Sequence, residues 1–357
     1  VCSSDLSSEQ EGYVRLTVAT QRIQASTSGM GEEKESSIIV SEGQTVFEAV
    51  RNFWNTMDRR PFWGHVEYAL IGEEAAKDGL MNYIDFFCRD PEVRLNLKVF
   101  LVKGRQAEEI ITEATGEKRF IFEQLNGISE NKSGQSIINE VDLVEVMYIL
   151  DKEYLSLYIP CLELQQKTKP SATNSEMDVV MNGFALFDGD KLAAHLDADM
   201  GRGLNWLRNN IESGIIVVES PKGNMVSMEI IESNTKLKPV LSDQKLTIHV
   251  NVFLTCNIGG IKGYEDVVSK DAIAFLEKQL QQTVKSEIEA VIDFSQRNNL
   301  DILSAGEAVF HKYPIQWEDK FEKEWKTAFS ETVFKVNVTP VITGTYNILQ
   351  PSKARKE

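Results

Sequence analysis

The chain has 357 residues, a length that suggests two or three domains. Its 42% hydrophobic and 26% charged content allows real cores and argues against extended disorder. The net charge of −16 argues against binding a phosphate backbone, which needs clustered lysine and arginine, and against attachment to anionic lipid by basic patches. No apolar stretch approaches the roughly 20 residues of a transmembrane helix.

The first 170 residues alternate strand and helix patterns. Residues 13–19 alternate apolar and polar side chains and predict a half-buried strand, whereas Ser26–Ser37 is rich in Gly, Ser and Glu and indicates a loop. Thr45 and Glu48 form a capping box that opens a helix over Val46–Met57. The elements predicted after it are a strand near His65–Ile71, a helix near Glu73–Cys88, a strand at Leu95–Val102, helices near 105–115 and 134–150, and a strand at Leu155–Leu164. This alternation predicts an α/β domain over residues 1–170.

A small α+β unit is predicted over residues 175–222. Its elements are strands near Val179–Phe187 and Lys191–Leu196, a helix near 199–210, and a strand at Gly214–Glu219. Such a short stretch gives few residues for a core, so we expect it to pack on a neighbouring domain. Asp188-Gly-Asp190 favours a hairpin turn, and Asp197 and Asp199 suit a helix start better than a calcium loop.

The remaining residues, 223–357, predict an α+β domain with one long helix. Strands are expected near Met225–Leu237 and Leu246–Asn257, a second amphipathic helix near Trp317–Phe329, and a closing strand over Val333–Tyr346. The long helix is N-capped by Ser269, runs to about Asn298 and should be about 45 Å long. Its apolar stripe consists of Ile273, Leu276, Leu280, Val284, Ile288, Val291 and Ile292. The whole chain is therefore predicted to be a three-domain mixed α/β and α+β protein.

The sequence contains no catalytic or metal-binding motif. The four cysteines form no CxxC pair, the four histidines form no HExxH, and GxSxG and the phosphate-binding GxxxxGK[ST] loop are absent. Cys88 and Cys256 adjoin apolar residues and are expected to be small buried hydrophobes. We therefore predict no catalytic residue, no metal ligand and no cofactor.

A run that mixes basic and aromatic residues follows the first helix. It reads Arg59-Arg-Pro-Phe-Trp-Gly-His65. Arginine and tryptophan dominate the residues that contribute most binding energy at protein interfaces, so this run could contact a partner. Alternatively, the aromatic side chains fill the core and the arginines are solvated. The sequence leaves both interpretations open.

Several motifs in fixed order resemble the Ger(x)C lipoproteins, the C subunits of spore germinant receptors in endospore-forming bacteria. They are Thr45–Arg51, Arg59–His65, Ile71–Gly79, Phe86–Arg94, Gly183–Leu192, Gly201–Leu207, Asp301–Glu307 and His311–Trp317, followed by the aromatic spacing of Trp325 and Phe329. The resemblance covers nearly all of Tyr13–Ile348. It departs from the family at residues 1–12, where the family's signal peptide, lipid-modified cysteine and extra apolar strand are not recognised.

The resemblance implies a non-enzymatic lipoprotein that works in receptor assembly or signalling with two membrane-embedded partners, the A and B subunits. It implies a position on the outer face of the spore inner membrane. We expect attachment through a lipidated cysteine upstream of, or replaced by, the present first residues. No nucleic-acid partner is expected.

Two functional classes follow from the resemblance. An assembly subunit should present contact surfaces and no enclosed pocket, whereas a nutrient-binding module should present a concave, mostly apolar cleft with a few convergent polar groups. The residues that we expect to contact a partner are Arg59, Arg60, Phe62, Trp63, His65, Arg89, Asp90 and Arg94.

Overall fold

The computed structural model describes residues 2–6, 12–25, 32–55, 62–114, 120–131, 136–137, 139–166, 177–242, 245–263 and 265–345. The chain divides into two compact units. The first consists of Val1–Glu130 and Glu140–Leu196, and the second of Asn131–Asn139 and Asp197–Glu357.

One mixed sheet organises the first unit, and its described part has nine strands. They are β1 (Cys2–Leu6), β2 (Val14–Ala25), β3 (Glu32–Gly43), β4 (Tyr68–Gly72), β5 (Lys98–Val102), β6 (Val141–Asp142), β7 (Tyr158–Gln166), β8 (Met177–Asp188) and β9 (Lys191–Leu196). Their spatial order is β3-β2-β1-β4-β5-β7-β8-β9, with β6 beside β5. The four central strands β1, β4, β5 and β7 run parallel, and β4 and β5 are buried almost throughout, as parallel strands covered on both faces are.

Helices connect these strands and confirm the predicted α/β architecture. They are α1 (Val46–Asn52), α2 (Glu73–Gly79), α3 (Met81–Arg89), α4 (Ala107–Glu113), α5 (Ile121–Glu130) and α6 (Leu143–Leu150). Ile110 of α4 and Leu125 of α5 belong to one buried cluster with Leu70, Phe100 and Val102 of the sheet. Burial of apolar area in this cluster, at about 25 cal/mol per Å², stabilises the layered arrangement.

The single helix predicted over Glu73–Cys88 is wrong, because the structure has two helices there. Gly79 ends α2 with a φ of +145°, which side-chain-bearing residues rarely adopt. The next residue, Leu80, donates its N–H to the carbonyl oxygen of Asp190 at 2.8 Å, and the Asp190 carboxylate accepts from the N–H of Met81 at 3.3 Å. Asp190 therefore lies in the predicted hairpin turn and fixes the junction between α2 and α3.

Other differences arise where pairing along the sheet overrides the local pattern. The loop predicted over Ser26–Ser37 is wrong from Glu32 onward, because β3 pairs with β2 along its whole length. The helix predicted over 134–150 begins only at Leu143. Before it, Val141–Asp142 pairs with β5, and the Asp142 carboxylate caps α6 by accepting from the N–H of Glu145 at 2.9 Å.

The stretch predicted as a separate middle domain, 175–222, is divided between the two units. β8 pairs with β7 and β9 pairs with β8, so this hairpin extends the first sheet. The helix and strand that follow lie in the second unit as α7 (Ala198–Leu207) and β10 (Gly214–Glu219). Each half buries its apolar face on a larger neighbour, because about 45 residues cannot form a sufficient core alone.

The described part of the second unit contains a four-stranded sheet covered by the long helix. Its further elements are β11 (Met225–Ser242), β12 (Lys245–Ile261), α8 (Lys270–Asn298), α9 (Ala305–Lys312), α10 (Pro314–Gln316), α11 (Trp325–Glu331) and β13 (Val333–Thr345). The order is β10-β11-β12-β13, in which β12 and β13 are parallel and the other pairs are antiparallel. The structure thus confirms the predicted long helix, which is 29 residues long.

Helix α8 lies on the sheet through its predicted apolar stripe. Leu276, Leu280, Val284 and Ile288 are fully buried. The amide of Gln281 also donates to the carbonyl oxygen of Val338 in β13 at 2.8 Å. Apolar burial and this hydrogen bond to the edge strand β13 therefore both hold α8 on the sheet.

Candidate partner interface

Helix α1 of the first unit presents two different faces. The side chain of Thr45 caps it by accepting from the N–H of Glu48 at 3.1 Å, which confirms the predicted start. The α-helix ends at Asn52 and continues as one 3-10 turn over Phe53–Asn55. Val46, Ala49, Val50 and Phe53 point into the core.

The opposite face of α1 carries aromatic and arginine side chains in solvent. Phe47 is 54% exposed and Trp54 is 46% exposed. Between them, the guanidinium carbon of Arg51 lies 5.1 Å from the Phe47 ring centroid and 4.3 Å from the Trp54 ring centroid. Cation–π contacts of this kind hold the three side chains in one arrangement.

A groove of about 620 Å³ lies beside this face, between α1 and α3. Phe47 and the buried Phe86 line it with their rings, whose centroids are 6.2 Å apart. Its polar lining includes Asp85, Arg89 and Asp90. We call the three outward residues Phe47, Arg51 and Trp54, together with this groove, the α1–α3 surface.

The aromatic residues of the predicted run have different environments. Trp63 is only 4% exposed and packs edge-on against Phe86, with ring centroids 5.7 Å apart. Phe62 is 60% exposed and contacts the exposed His65 ring at 5.1 Å. Trp63 therefore belongs to the core, while Phe62 and His65 remain accessible. Arg59 and Arg60 lie outside the described residues.

The other predicted contact residues lie at the end of α3 and after it. Arg89 is exposed and forms an ion pair with Asp85 at 2.7 Å, while Asp90 accepts from the N–H of Glu92 at 2.8 Å and fixes the turn. Arg94 is exposed. An exposed ion pair on one helix, such as Arg89–Asp85, is weak because solvent screens it, so Arg89 can exchange Asp85 for another acidic group at little cost.

A second, polar cleft of about 280 Å³ brings two of the predicted residues together. His65 and Arg94 line it with Glu67, Lys98 and Glu140. Charged groups of both signs line this cleft, and its volume is below that of typical ligand pockets. It therefore offers polar contacts rather than an apolar binding cavity.

The residues predicted from sequence to contact a partner do not include any residue on the outward face of α1. Its sequence pattern was available: Phe47, Arg51 and Trp54 recur at spacings of four and three residues, which places them on one helix face. The inward residues Val46, Val50 and Phe53 show the same periodicity. Two apolar faces on one short helix indicate that one of them is not used by the core.

One cluster in the first unit has the residue types of a cysteine nucleophile site. The Cys161 sulfur lies 3.7 Å from Nδ1 of His195, whose Nε2 lies 4.0 Å from Oε1 of Glu73. Cys161 is fully buried, and this burial raises the pKa of its thiol to about 12. A thiolate is the reactive form, so this thiol is unreactive near neutral pH. The Glu73 carboxylate also accepts from the backbone N–H of Gly104 at 2.7 Å and forms an ion pair with Lys77 at 3.0 Å. The cluster therefore links β7, β9 and α2.

Within the part of the chain that the structure describes, no three His, Cys, Asp or Glu side chains are arranged to hold a metal ion. No helix there is long and apolar enough to cross a membrane. The first unit is thus a mixed α/β protein that exposes aromatic and arginine side chains on one face of α1.

Comparison with known proteins identifies the family. A family described as "Spore germination protein N-terminal domain" matches residues 4–164, and one described as "Spore germination B3/GerAC like, C-terminal" matches residues 182–346. The chain therefore belongs to the GerAC-like C subunits of spore germinant receptors, and its role lies in spore germination.

Individual relatives agree with this assignment. The chain is 26% identical over 318 residues to spore germination protein KC of Bacillus subtilis, covering 83% of this chain and 76% of the relative. It is 22% identical over 334 residues to spore germination protein B3 of the same organism, covering 91% and 85%. The crystal structure of the GerBC protein shares the fold, with a TM-score of 0.61, 18% identity and 96% coverage of both chains.

Proposed function

We propose that this protein is a non-enzymatic lipoprotein subunit of a nutrient germinant receptor and that it takes part in receptor assembly through the α1–α3 surface. The observation that carries this proposal is the array of Phe47, Arg51 and Trp54, exposed beside an apolar groove. Trp and Arg are the residue types most enriched among binding hot spots. A contiguous exposed apolar patch next to a groove is typical of a protein interaction site.

The geometry of the array favours tight contact. The two cation–π contacts order Arg51 before a partner arrives, so less side-chain entropy is lost on binding. Arg89 in the groove lining and Arg51 over the Phe47 ring offer positive charge to acidic groups, while Phe47 and Phe86 supply apolar area in the groove. A partner with an apolar side chain flanked by acidic groups fits this arrangement.

The partners in this proposal are the membrane-embedded A and B subunits of the receptor, which the family resemblance implies. The same resemblance supports a lipid anchor on a cysteine near the N terminus of the natural protein and a position on the outer face of the spore inner membrane. A diacylglyceryl group supplies two acyl chains, which suffice for stable attachment without a basic patch.

We predict that the triple substitution Phe47→Ala, Arg51→Ala and Trp54→Ala reduces copurification of the membrane-embedded subunits from spore membranes by about tenfold or more, since hot-spot residues each contribute about 2 kcal/mol. The melting temperature of the purified variant should stay close to wild type, because the replaced side chains are exposed.

The matched control lies on α6 of the same unit. Val144 and Tyr148 are 53% and 47% exposed, and the Lys152 amine lies 5.6 Å from the Tyr148 ring centroid. Val144→Ala, Tyr148→Ala and Lys152→Ala together should leave copurification unchanged. Equal losses in both variants, or unfolding of the α1 variant, would contradict the assembly role of the α1–α3 surface.

A second candidate function is nutrient binding in the same groove. Its volume of about 620 Å³ is within the range of small-molecule sites, and Asp85, Arg89 and Asp90 could pair with the charged ends of a zwitterion. Calorimetry with amino acids and sugars separates the two functions. The assembly proposal expects no measurable heat, whereas a micromolar dissociation constant abolished by Arg89→Ala would favour nutrient binding.

A further inference from the structure

The outward face of the second unit's sheet is defined by strand register. Residues directly opposite each other on neighbouring strands point to the same side. Lys238 of β11 lies opposite His249 of β12, which in turn lies opposite Lys335 of β13. Two residues further along the strands, Lys236 lies opposite Asn251, which lies opposite Asn337. The buried residues of β12 alternate with these positions and face the core instead.

This face is basic although the chain carries a net charge of −16. Its outward positions over four successive rows are Asn234, Lys236, Lys238, Val240, Thr247, His249, Asn251, Phe253, Val333, Lys335, Asn337 and Thr339. None of them is acidic, none is buried, and the next row begins with Glu232. We call Lys236, Lys238, His249 and Lys335 the basic row.

Like charges lie close together in the basic row. Lys236 and Lys238 are two residues apart on β11 and point to the same side of the sheet, so their positive charges repel each other. In this unit's described part, the structure shows no ion pair for Lys236, Lys238 or Lys335. An acidic group placed over the row would relieve this repulsion, and no acidic residue of the face provides one.

Groups around the basic row can bind a polypeptide. The amide of Asn337 donates to the amide oxygen of Asn251 at 3.4 Å, which leaves further donors and acceptors of both amides directed outward. Phe253 is 43% exposed and adds apolar area on the same side. Lys236 and Lys238 are two residues apart on one strand, so their Cα atoms are separated by about 6.8 Å. Alternate residues of an extended peptide repeat at this same spacing.

We propose that the basic row is a binding site for an extended acidic segment of a partner polypeptide, with alternate carboxylates over Lys236 and Lys238. The outward positions of this face are exposed or half-buried, so an extended chain can reach them. Nucleic acid is disfavoured because the face holds no arginine and the rest of the chain is strongly acidic. An anionic bilayer is disfavoured because each lysine contributes only about 1 kcal/mol of attraction, against repulsion by the acidic chain. This site is separate from the α1–α3 surface and does not depend on the function proposed for it.

The test uses the full chain and a fluorescein-labelled decapeptide that alternates glutamate and threonine, followed by fluorescence anisotropy. We expect binding that weakens with salt, and about tenfold weaker binding after Lys236→Glu with Lys238→Glu. The same peptide with glutamine in place of glutamate should bind at least tenfold more weakly to wild type.

The control is Lys278→Glu with Lys285→Glu on α8, which makes the same change in net charge on the same unit through two exposed lysines. This control should bind like wild type. An equal loss in the control, equal binding of the glutamine peptide, or row-dependent binding to anionic vesicles would overturn the proposal. Row-dependent self-association in sedimentation would also overturn it, because the occupant would then be a second copy of the chain.

Discussion

Replacing Leu280 by aspartate should destabilise the second unit by about 3–5 kcal/mol, measured as the free energy of unfolding in denaturant. Leu280 is fully buried in the middle of α8, where the helix lies on the sheet. The substitution removes apolar contacts and places a carboxylate in a fully buried position. Circular dichroism of the full chain should show an earlier transition, and limited proteolysis should assign it to residues after Asp197.

The control for this substitution is Gln282→Asp. Gln282 lies two residues further along the same helix and is exposed, so both variants place the same residue type in the same helix. We expect its unfolding free energy to stay within about 1 kcal/mol of wild type. If Leu280→Asp proved equally mild, α8 would not be the element that holds the second unit together.

The second large effect is expected for Asp301→Ala. The buried Asp301 carboxylate accepts from the backbone N–H groups of Leu303, Ala305 and Gly306 at 3.2, 3.0 and 2.7 Å, and from the indole N–H of Trp325 at 3.0 Å. Alanine would leave all four donors buried without an acceptor. We expect a loss of about 3–5 kcal/mol in the free energy of unfolding, because each unsatisfied buried donor costs about 1–3 kcal/mol.

Two further variants test the cause of that loss. Asp301→Asn keeps one acceptor oxygen and should be less damaging than alanine, while Asp319→Ala removes an exposed carboxylate and should be neutral. Equal stability of the alanine and asparagine variants would show that hydrogen bonding does not determine the contribution of Asp301. The same network joins Trp325 to Asp301–Glu307, two of the segments that resemble the Ger(x)C motifs.

Elements with strong local patterns could be predicted from sequence alone. Helix α8 follows its apolar stripe from Leu276 to Ile292 and its Ser269 cap, and the structure confirms both. The Asp188-Gly-Asp190 turn and the β9 strand are likewise confirmed. In each case, the pattern within one stretch of chain was sufficient to predict the element.

Elements that depend on distant partners could not be predicted. Strand β1, Cys2–Leu6, has no apolar alternation, and its pairing with β2 and β4 brings residues far apart in sequence together. The break between α2 and α3 requires Asp190, which is more than 100 residues further along. The region predicted as one amphipathic helix, Trp317–Phe329, contains a π-helical turn over Trp317–Phe321, yet its aromatic side chains stay buried as the spacing implies.

The candidate interface was only partly visible in the sequence. Trp63 and Phe62 are adjacent and equally apolar, yet one is buried and the other exposed, because packing against Phe86 decides which ring enters the core. Composition does not distinguish them. The spacing of Phe47, Arg51 and Trp54 places them on one helix face, but which of the two apolar faces of α1 points outward depends on how α1 lies on the sheet, which only the fold supplies.

The most direct test of the assembly role is photo-cross-linking from position 47 in intact spore membranes. Benzoylphenylalanine would replace Phe47 on the α1–α3 surface, and in a second strain it would replace the similarly exposed Tyr148 on α6. The account predicts a cross-link from position 47 to a membrane-embedded receptor subunit and no such product from position 148. A product from position 148 alone, or none from either position while the receptor remains assembled, would contradict it.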